Sequence, residues 1–231
     1  MKTDIKVIAF DADDTLWVNE PYFQETSKNF CSLLEDYLSQ HHIAQELFKT
    51  EMDNLKLYGY GVKGFMLSMI ETAYKVGGEN LNVEIIAKII EYGKALLEKP
   101  IELLDGVEQV LKTLKGHYRL VVATKGDLLD QERKLKKSGL EHYFHHIEIM
   151  SDKKEDDYLK LIRHLDINPA EFLMLGNSLK SDILPVLAIG GHAYHIPYHV
   201  TWAHEQVDTQ VDHPQFKHLH SVLDVVPFVI G

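Results

Sequence analysis

The segment Ile5-Lys6-Val7-Ile8-Ala9-Phe10 is short, β-branched and almost wholly apolar, and it ends abruptly at Asp11-Ala12-Asp13-Asp14-Thr15. An apolar run of this length that does not alternate reads as a central strand buried on both faces, the kind that builds parallel sheets. Parallel strands cannot be joined by tight hairpins, so helices must follow somewhere in the chain.

They follow in two styles. Residues 21–41, 44–57, 62–76 and 83–98 carry long helical patterns with few β-branched runs. From residue 100 onward, apolar runs and amphipathic helices take turns: helix 105–115, strand 118–123, helix 128–138 closed by Gly139, strand 146–149, helix 156–165, strand 172–175, helix 181–189 and strand 193–196. The pattern predicts an α/β fold with five parallel strands in an open, doubly wound (Rossmann-like) sheet. The first strand precedes the helical block and the others come after it, so the block is read as an inserted all-helical domain. The expected boundaries are 1–17 and 99–231 for the α/β core and 18–98 for the insertion. Residues 221–229 read as a closing apolar helix or docking strand.

Open parallel sheets collect ligands outside the carboxyl ends of their strands. Those ends carry Asp11 to Thr15, then Thr124-Lys125-Gly126-Asp127, then Ser151-Asp152-Lys153-Lys154, then Gly176-Asn177-Ser178 with Asp182 following. Carboxylates, a hydroxyl and lysines therefore converge on one edge. The chain has 35 acidic and 24 basic residues, a net charge of −11, which opposes binding to a nucleic-acid backbone. A phosphorylated small molecule is still compatible, provided cations gather locally. Cys31 is the only cysteine, which rules out an internal disulfide and fits a reducing, cytoplasmic setting. The first apolar run is cut short by Asp11, so it is no signal-peptide core, and no stretch reaches the length of a membrane span.

The ordered set Asp11-x-Asp13-x-Thr15, Thr124, Lys153 and Gly176-Asn177-(x)4-Asp182 resembles the haloacid dehalogenase (HAD) superfamily, and the helical block resembles the cap that many members insert between the first and second motifs. The resemblance implies a Mg²⁺-dependent hydrolase that removes phosphate from a small phosphorylated metabolite. Asp11 is then the nucleophile that forms an aspartyl-phosphate, and Asp13 the general acid and base. Thr124 holds a phosphoryl oxygen, with the backbone N–H of Lys125 beside it and the Lys125 side chain facing solvent. Lys153 neutralises both the phosphate and Asp11. Asp11, Asp182, the backbone carbonyl of Asp13 and Asn177 are the expected metal set. A cation is needed because a carboxylate about 4 Å from a phosphate charge is repelled by on the order of 4 kcal/mol at an effective dielectric near 20.

Two positions depart from the family pattern. Lys154 stands where a proline usually follows the lysine, so it competes with Lys153 for the role. Asn177 stands where most phosphatases of the family carry a metal-binding aspartate, and an amide brings oxygen without charge. Asparagine in this region also suits a metal-independent 2-haloacid dehalogenase, but halide displacement needs no second acid, and Asp13 supplies one. A sugar-phosphate mutase would keep both aspartates, and a catalytically degenerate binding protein remains the non-enzymatic alternative. Within the helical block, Tyr58-Gly59-Tyr60-Gly61-Val62-Lys63-Gly64-Phe65 is either a specificity loop, with Lys63 meeting a second anionic group of the substrate, or a plain helix-helix turn. His192, His195, His199 and His204 lack metal-ligand spacing and read as surface or packing residues. Trp202 is expected to anchor its segment to the core.

Overall fold

A computed structural model describes residues 4–230. In chain order it contains β1 (Val7–Phe10), α1 (Glu20–Leu33), α2 (Gln40–Tyr58), α3 (Val62–Gly77), α4 (Val83–Glu98), α5 (Val107–Leu114) and β2 (Arg119–Lys125). Next come α6 (Leu128–Ser138), β3 (His146–Met150), α7 (Glu155–His164), β4 (Phe172–Gly176), α8 (Leu184–Ala188), β5 (His192–His195), β6 (Phe216–His218) and α9 (Val226–Val229). The chain divides into two compact units. One comprises Met1–Glu20, Ile101–Lys125 and Arg133–Gly231, and the other Pro21–Pro100 with Gly126–Glu132. Among the described residues, no helix is long and apolar enough to cross a membrane.

The first unit is built on a six-stranded sheet of order β3-β2-β1-β4-β5-β6 in which every pairing is parallel. β1 lies at the centre, with Phe10 opposite Val122 on one side and Leu175 on the other. Side chains alternate between the faces of a strand. Val7 and Ala9 therefore join one buried cluster with Tyr158, Leu161 and Val186, while Ile8 and Phe10 join the other with Val110, Leu111 and Val225. Burial on both faces accounts for the unbroken apolar run, and it makes Asp11 the first residue at which the strand can turn polar. After β1 the chain returns through β2 and β3 on one side, then β4, β5 and β6 on the other. The order reverses beside β1, and that is where such sheets open a crevice.

Three details differ from the sequence reading. The sheet has six strands instead of five, because Phe216-Lys217-His218 pairs with β5; three residues with one apolar side chain carry no pattern to detect. The first helix ends at Leu33 instead of running to residue 41, and Ser39, in extended conformation, starts α2. The helix expected at 181–189 is a π-helical turn, Leu179–Ile183, followed by the short α8. Pro185 has no N–H to offer the carbonyl of Ser181 four residues back. That carbonyl instead accepts the Tyr158 hydroxyl at 2.9 Å.

The second unit packs its helices around Phe30, Leu34, Ile43, Leu47, Met69 and Ile89, with Cys31 buried among them. Its α2–α3 turn depends on glycine: Gly59 and Gly61 have φ of 72° and 104°, a region L side chains avoid. A Cβ on Gly64 would lie 2.8 Å from the Gly59 carbonyl. Segment Gly126–Glu132 belongs to this unit, where Asp127 receives both an ion pair from Lys63 and the close approach of Gly61.

Burial raises the carboxyl of Glu51 on α2 from its ordinary value to about 7. Its folded form keeps the proton to higher pH than its unfolded form, so the group costs stability as pH rises from about 4.5 to 7. Glu51→Gln is expected to leave the thermal midpoint nearly unchanged at pH 4 and to raise it above pH 7, measured by thermal unfolding across that range.

Candidate active site

The end of β1 sets the geometry. Asp11 continues the ladder through its N–H, which donates to the Leu175 carbonyl at 2.8 Å, and the residue is only 7% exposed. Asp14 takes a left-handed backbone, φ 59°, which acidic residues tolerate better than most. Its carboxylate accepts the N–H groups of Asn19 at 2.9 Å and Glu20 at 3.0 Å, where α1 begins. Of the three acids in this loop, Asp14 therefore does the helix capping. Burial raises its carboxyl to about 7 in spite of those bonds.

Lys153 enters from the loop after β3. Its ammonium is buried between two carboxylates, 2.5 Å from Asp11 Oδ1 and 2.7 Å from Asp182 Oδ1. Lys154, in contrast, has a side chain 71% exposed and pairs with Asp152. Asp182 comes from the π-helical turn after β4, and its Oδ2 accepts the Ser178 N–H at 3.0 Å. Gly176 makes that approach possible, since a Cβ there would stand 2.2 Å from Asp182 Oδ2. Burial works against charge on both sides of the cluster. It pushes Asp11 up to about 7, against the attraction of Lys153, with Asp182 and Asp13 adding to the rise. It also opposes the Lys153 charge, but Asp11 and Asp182 outweigh it and raise that ammonium's pKa. One ammonium thus faces two buried carboxylates.

Asn177 joins the cluster through Thr15, whose hydroxyl lies 3.4 Å from Asp11 Oδ2 and 3.3 Å from Asn177 Oδ1. The Asn177 carbonyl meets His195 Nε2 at 2.9 Å, which gives that histidine a packing role on the loop. Thr124 is buried one residue before the end of β2, at the same sheet edge. Asp13 Oδ1 accepts the Trp17 indole N–H at 2.7 Å and the Lys134 ammonium at 3.0 Å. Among the described residues, no group of three or more His, Cys, Asp or Glu side chains is arranged to hold a metal ion. The available donors at the centre are two carboxylates and one amide oxygen. Lys63 lies in the helical unit with its ammonium on Asp127, 3.0 and 3.1 Å from the two oxygens.

Sequence reasoning missed several partners. Lys125 does not face solvent: its ammonium is largely buried, 2.8 Å from Ser181 Oγ and ion-paired with Glu205. Glu205 also accepts the Ser178 hydroxyl at 2.5 Å and the Ser181 hydroxyl at 2.6 Å. Burial pushes Glu205 up, but the Lys125 charge and these hydrogen bonds outweigh it and bring the carboxyl to about 2. Trp202 is half-buried, with its ring tilted against His204 at 4.9 Å. Glu205 ends a single 3-10 turn, Ala203–Glu205, too short for a pattern that would hint at its partner.

With this geometry, the family assignment is direct. A model of the haloacid dehalogenase-like hydrolases matches residues 5–190, and the chain belongs to that family: it is a hydrolase. The structure of a haloacid dehalogenase-like family hydrolase from Xanthomonas campestris is 36% identical, with a TM-score of 0.88 over 98% of this chain and 92% of that one. A glyceraldehyde 3-phosphate phosphatase of Methanopyrus kandleri is 24% identical over 187 residues, 78% of each chain. The HAD-hydrolase YfnB of Bacillus subtilis, whose structure is bound to magnesium, shares the fold at 16% identity, with a TM-score of 0.66 over 98% of this chain and 99% of that one.

The Glu205 carboxyl is held below its unfolded value, so it contributes stability that is complete above about pH 4.5 and is lost as pH falls toward 2. Glu205→Gln is expected to destabilise the protein by about 2 kcal/mol at pH 7, the worth of hydrogen bonds to a charged group. The gap in thermal midpoint between the two proteins should close as pH falls through that window.

Proposed function

We propose that the protein is a Mg²⁺-dependent phosphomonoesterase that hydrolyses a small phosphorylated metabolite through an aspartyl-phosphate on Asp11. The observation that carries this reading is the Lys153 ammonium between Asp11 and Asp182, with a separate acid, Asp13, on the same loop as Asp11. Displacement at phosphorus needs a carboxylate, a cation that offsets its repulsion for the phosphate, and a proton for the leaving alkoxide. The magnesium-bound and phosphatase relatives support it from outside the chain.

In this reading Asp11 attacks phosphorus as the ester bond to the leaving oxygen breaks. Lys153 keeps the Asp11 carboxylate oriented and offsets negative charge on the transferring group. Thr124 and the backbone N–H of Lys125 hold phosphoryl oxygens, with the Lys125 side chain kept away by Glu205. Asp13 protonates the departing oxygen, then takes a proton from the water that hydrolyses the acyl phosphate. Asp11, Asp182, the Asp13 carbonyl and Asn177 would hold the metal. Two carboxylates, each with hard oxygens, suit Mg²⁺, which needs few protein ligands and retains waters. The ion supplies positive charge beside the two buried carboxylates.

A panel of phosphorylated metabolites, glyceraldehyde 3-phosphate among them, tests the reading through release of inorganic phosphate with and without Mg²⁺. Native turnover should require the metal, and Asp11→Asn should lower it at least about 10³-fold, the scale on which loss of a catalytic group registers. Full retention of turnover in Asp11→Asn would remove the nucleophile assignment. Isomerised product without phosphate release would indicate a mutase. Metal-independent chloride release from 2-chloropropionate would replace phosphate chemistry with dehalogenation.

A further inference from the structure

The Asp13 carboxylate is gripped by two donors. Trp17 Nε1–H and Lys134 Nζ both bond Oδ1, and Lys134 also reaches a second oxygen, Asn19 Oδ1, at 2.7 Å. Both donors are largely out of solvent. Trp17 is 1% exposed, with its backbone bonded to Ala12 and Asp14, and the Lys134 side chain is 15% exposed. Lys134 comes from α6, which is otherwise remote in sequence from the loop that carries Asp13.

We propose that Lys134 and Trp17 are positioning residues that fix the Asp13 carboxyl as general acid. The inference deepens the phosphomonoesterase reading and rests on it. Two N–H donors on Oδ1 occupy that oxygen's lone pairs, so when the carboxyl is protonated its proton sits on Oδ2. The same two bonds fix the plane of the carboxyl about a known axis. A general acid works only when its proton already points at the leaving oxygen, and misorientation by a fraction of an ångström costs rate. As the phosphorus–oxygen ester bond breaks and the Asp11–phosphorus bond forms, the Oδ2 proton passes to the departing alkoxide. The product alcohol leaves with Asp13 ionised. The two donors remain on Oδ1, so the carboxylate that must next accept a proton from water keeps the same orientation.

A purely structural ion pair would affect all substrates alike, whereas a positioning role depends on the leaving group. Nitrophenolate departs without a proton; an alkoxide needs one. The comparison uses kcat/KM, which covers steps up to alcohol release and excludes hydrolysis of the intermediate, a step common to both esters. The two substrates are p-nitrophenyl phosphate and the alkyl phosphate that the native chain hydrolyses fastest. Lys134→Met is expected to lose about 30-fold on the alkyl ester and about threefold on the aryl ester, within the about 10² to 10⁴ that general acid catalysis contributes. Lys134→Arg, which keeps the charge, should recover most of the alkyl loss. Trp17→Phe keeps the ring and removes the N–H, so it should show the same bias toward the aryl ester even if Lys134→Met folds poorly. Equal losses on both esters in both variants, with native activity intact, overturn this proposal alone. A native chain that releases phosphate from neither ester overturns the phosphomonoesterase reading and this proposal with it.

Discussion

The buried charge of Lys153 is the interaction on which the rest of the site depends. Asp11 and Asp182 reach the same point from the ends of two adjacent strands, both out of water, and without a cation between them their mutual repulsion would force one to take up a proton. Removing one member of a buried ion pair typically costs about 3–5 kcal/mol, because the remaining charge is left uncompensated. The arrangement thus joins fold stability to chemistry: the lysine that lets the carboxylates be buried is the one that offsets charge beside the nucleophile. It also explains why the neighbouring residues are small or turned. Gly176 leaves space for Asp182, and Asp14 folds back in a left-handed conformation to cap α1 while Asp11 stays at the centre.

The centre was legible in the sequence to an unusual degree because the strand ends are spaced by topology. A central strand buried on both faces must be apolar until it leaves the sheet, so an acidic residue placed at once after it marks the edge where ligands gather. The parallel order of the strands then brings Lys153 and Asp182 alongside. The same reasoning separates Lys153 from Lys154 only through geometry, since adjacent residues of a loop point in different directions and no period decides which one is buried.

The parts that were not legible are held by contacts without a repeating pattern. β6 has three residues and one apolar side chain, too short to alternate. Glu205 closes a short 3-10 turn between β5 and β6, and its value lies in meeting Lys125 at the end of β2 and Ser178 and Ser181 at the π-helical turn. Lys134 is one of several lysines on α6, and nothing in its neighbours distinguishes the one that turns inward. The π-helical turn before α8 replaces a regular helix because a proline removes one N–H and a tyrosine hydroxyl takes the carbonyl, a substitution that a helical pattern does not register. Each is a tertiary partnership, and each lies just outside the ring of residues that the motifs identify.

The most direct test of the account is to find where phosphorus goes. The protein is mixed with ³²P-labelled substrate and Mg²⁺, quenched in acid during turnover, digested and mapped by mass spectrometry. The account predicts an acid-stable but hydroxylamine-labile phosphoryl group on the peptide containing Asp11, lost in Asp11→Asn. Continued turnover with the label on another residue, or with no covalent phosphoryl group at all, would contradict it.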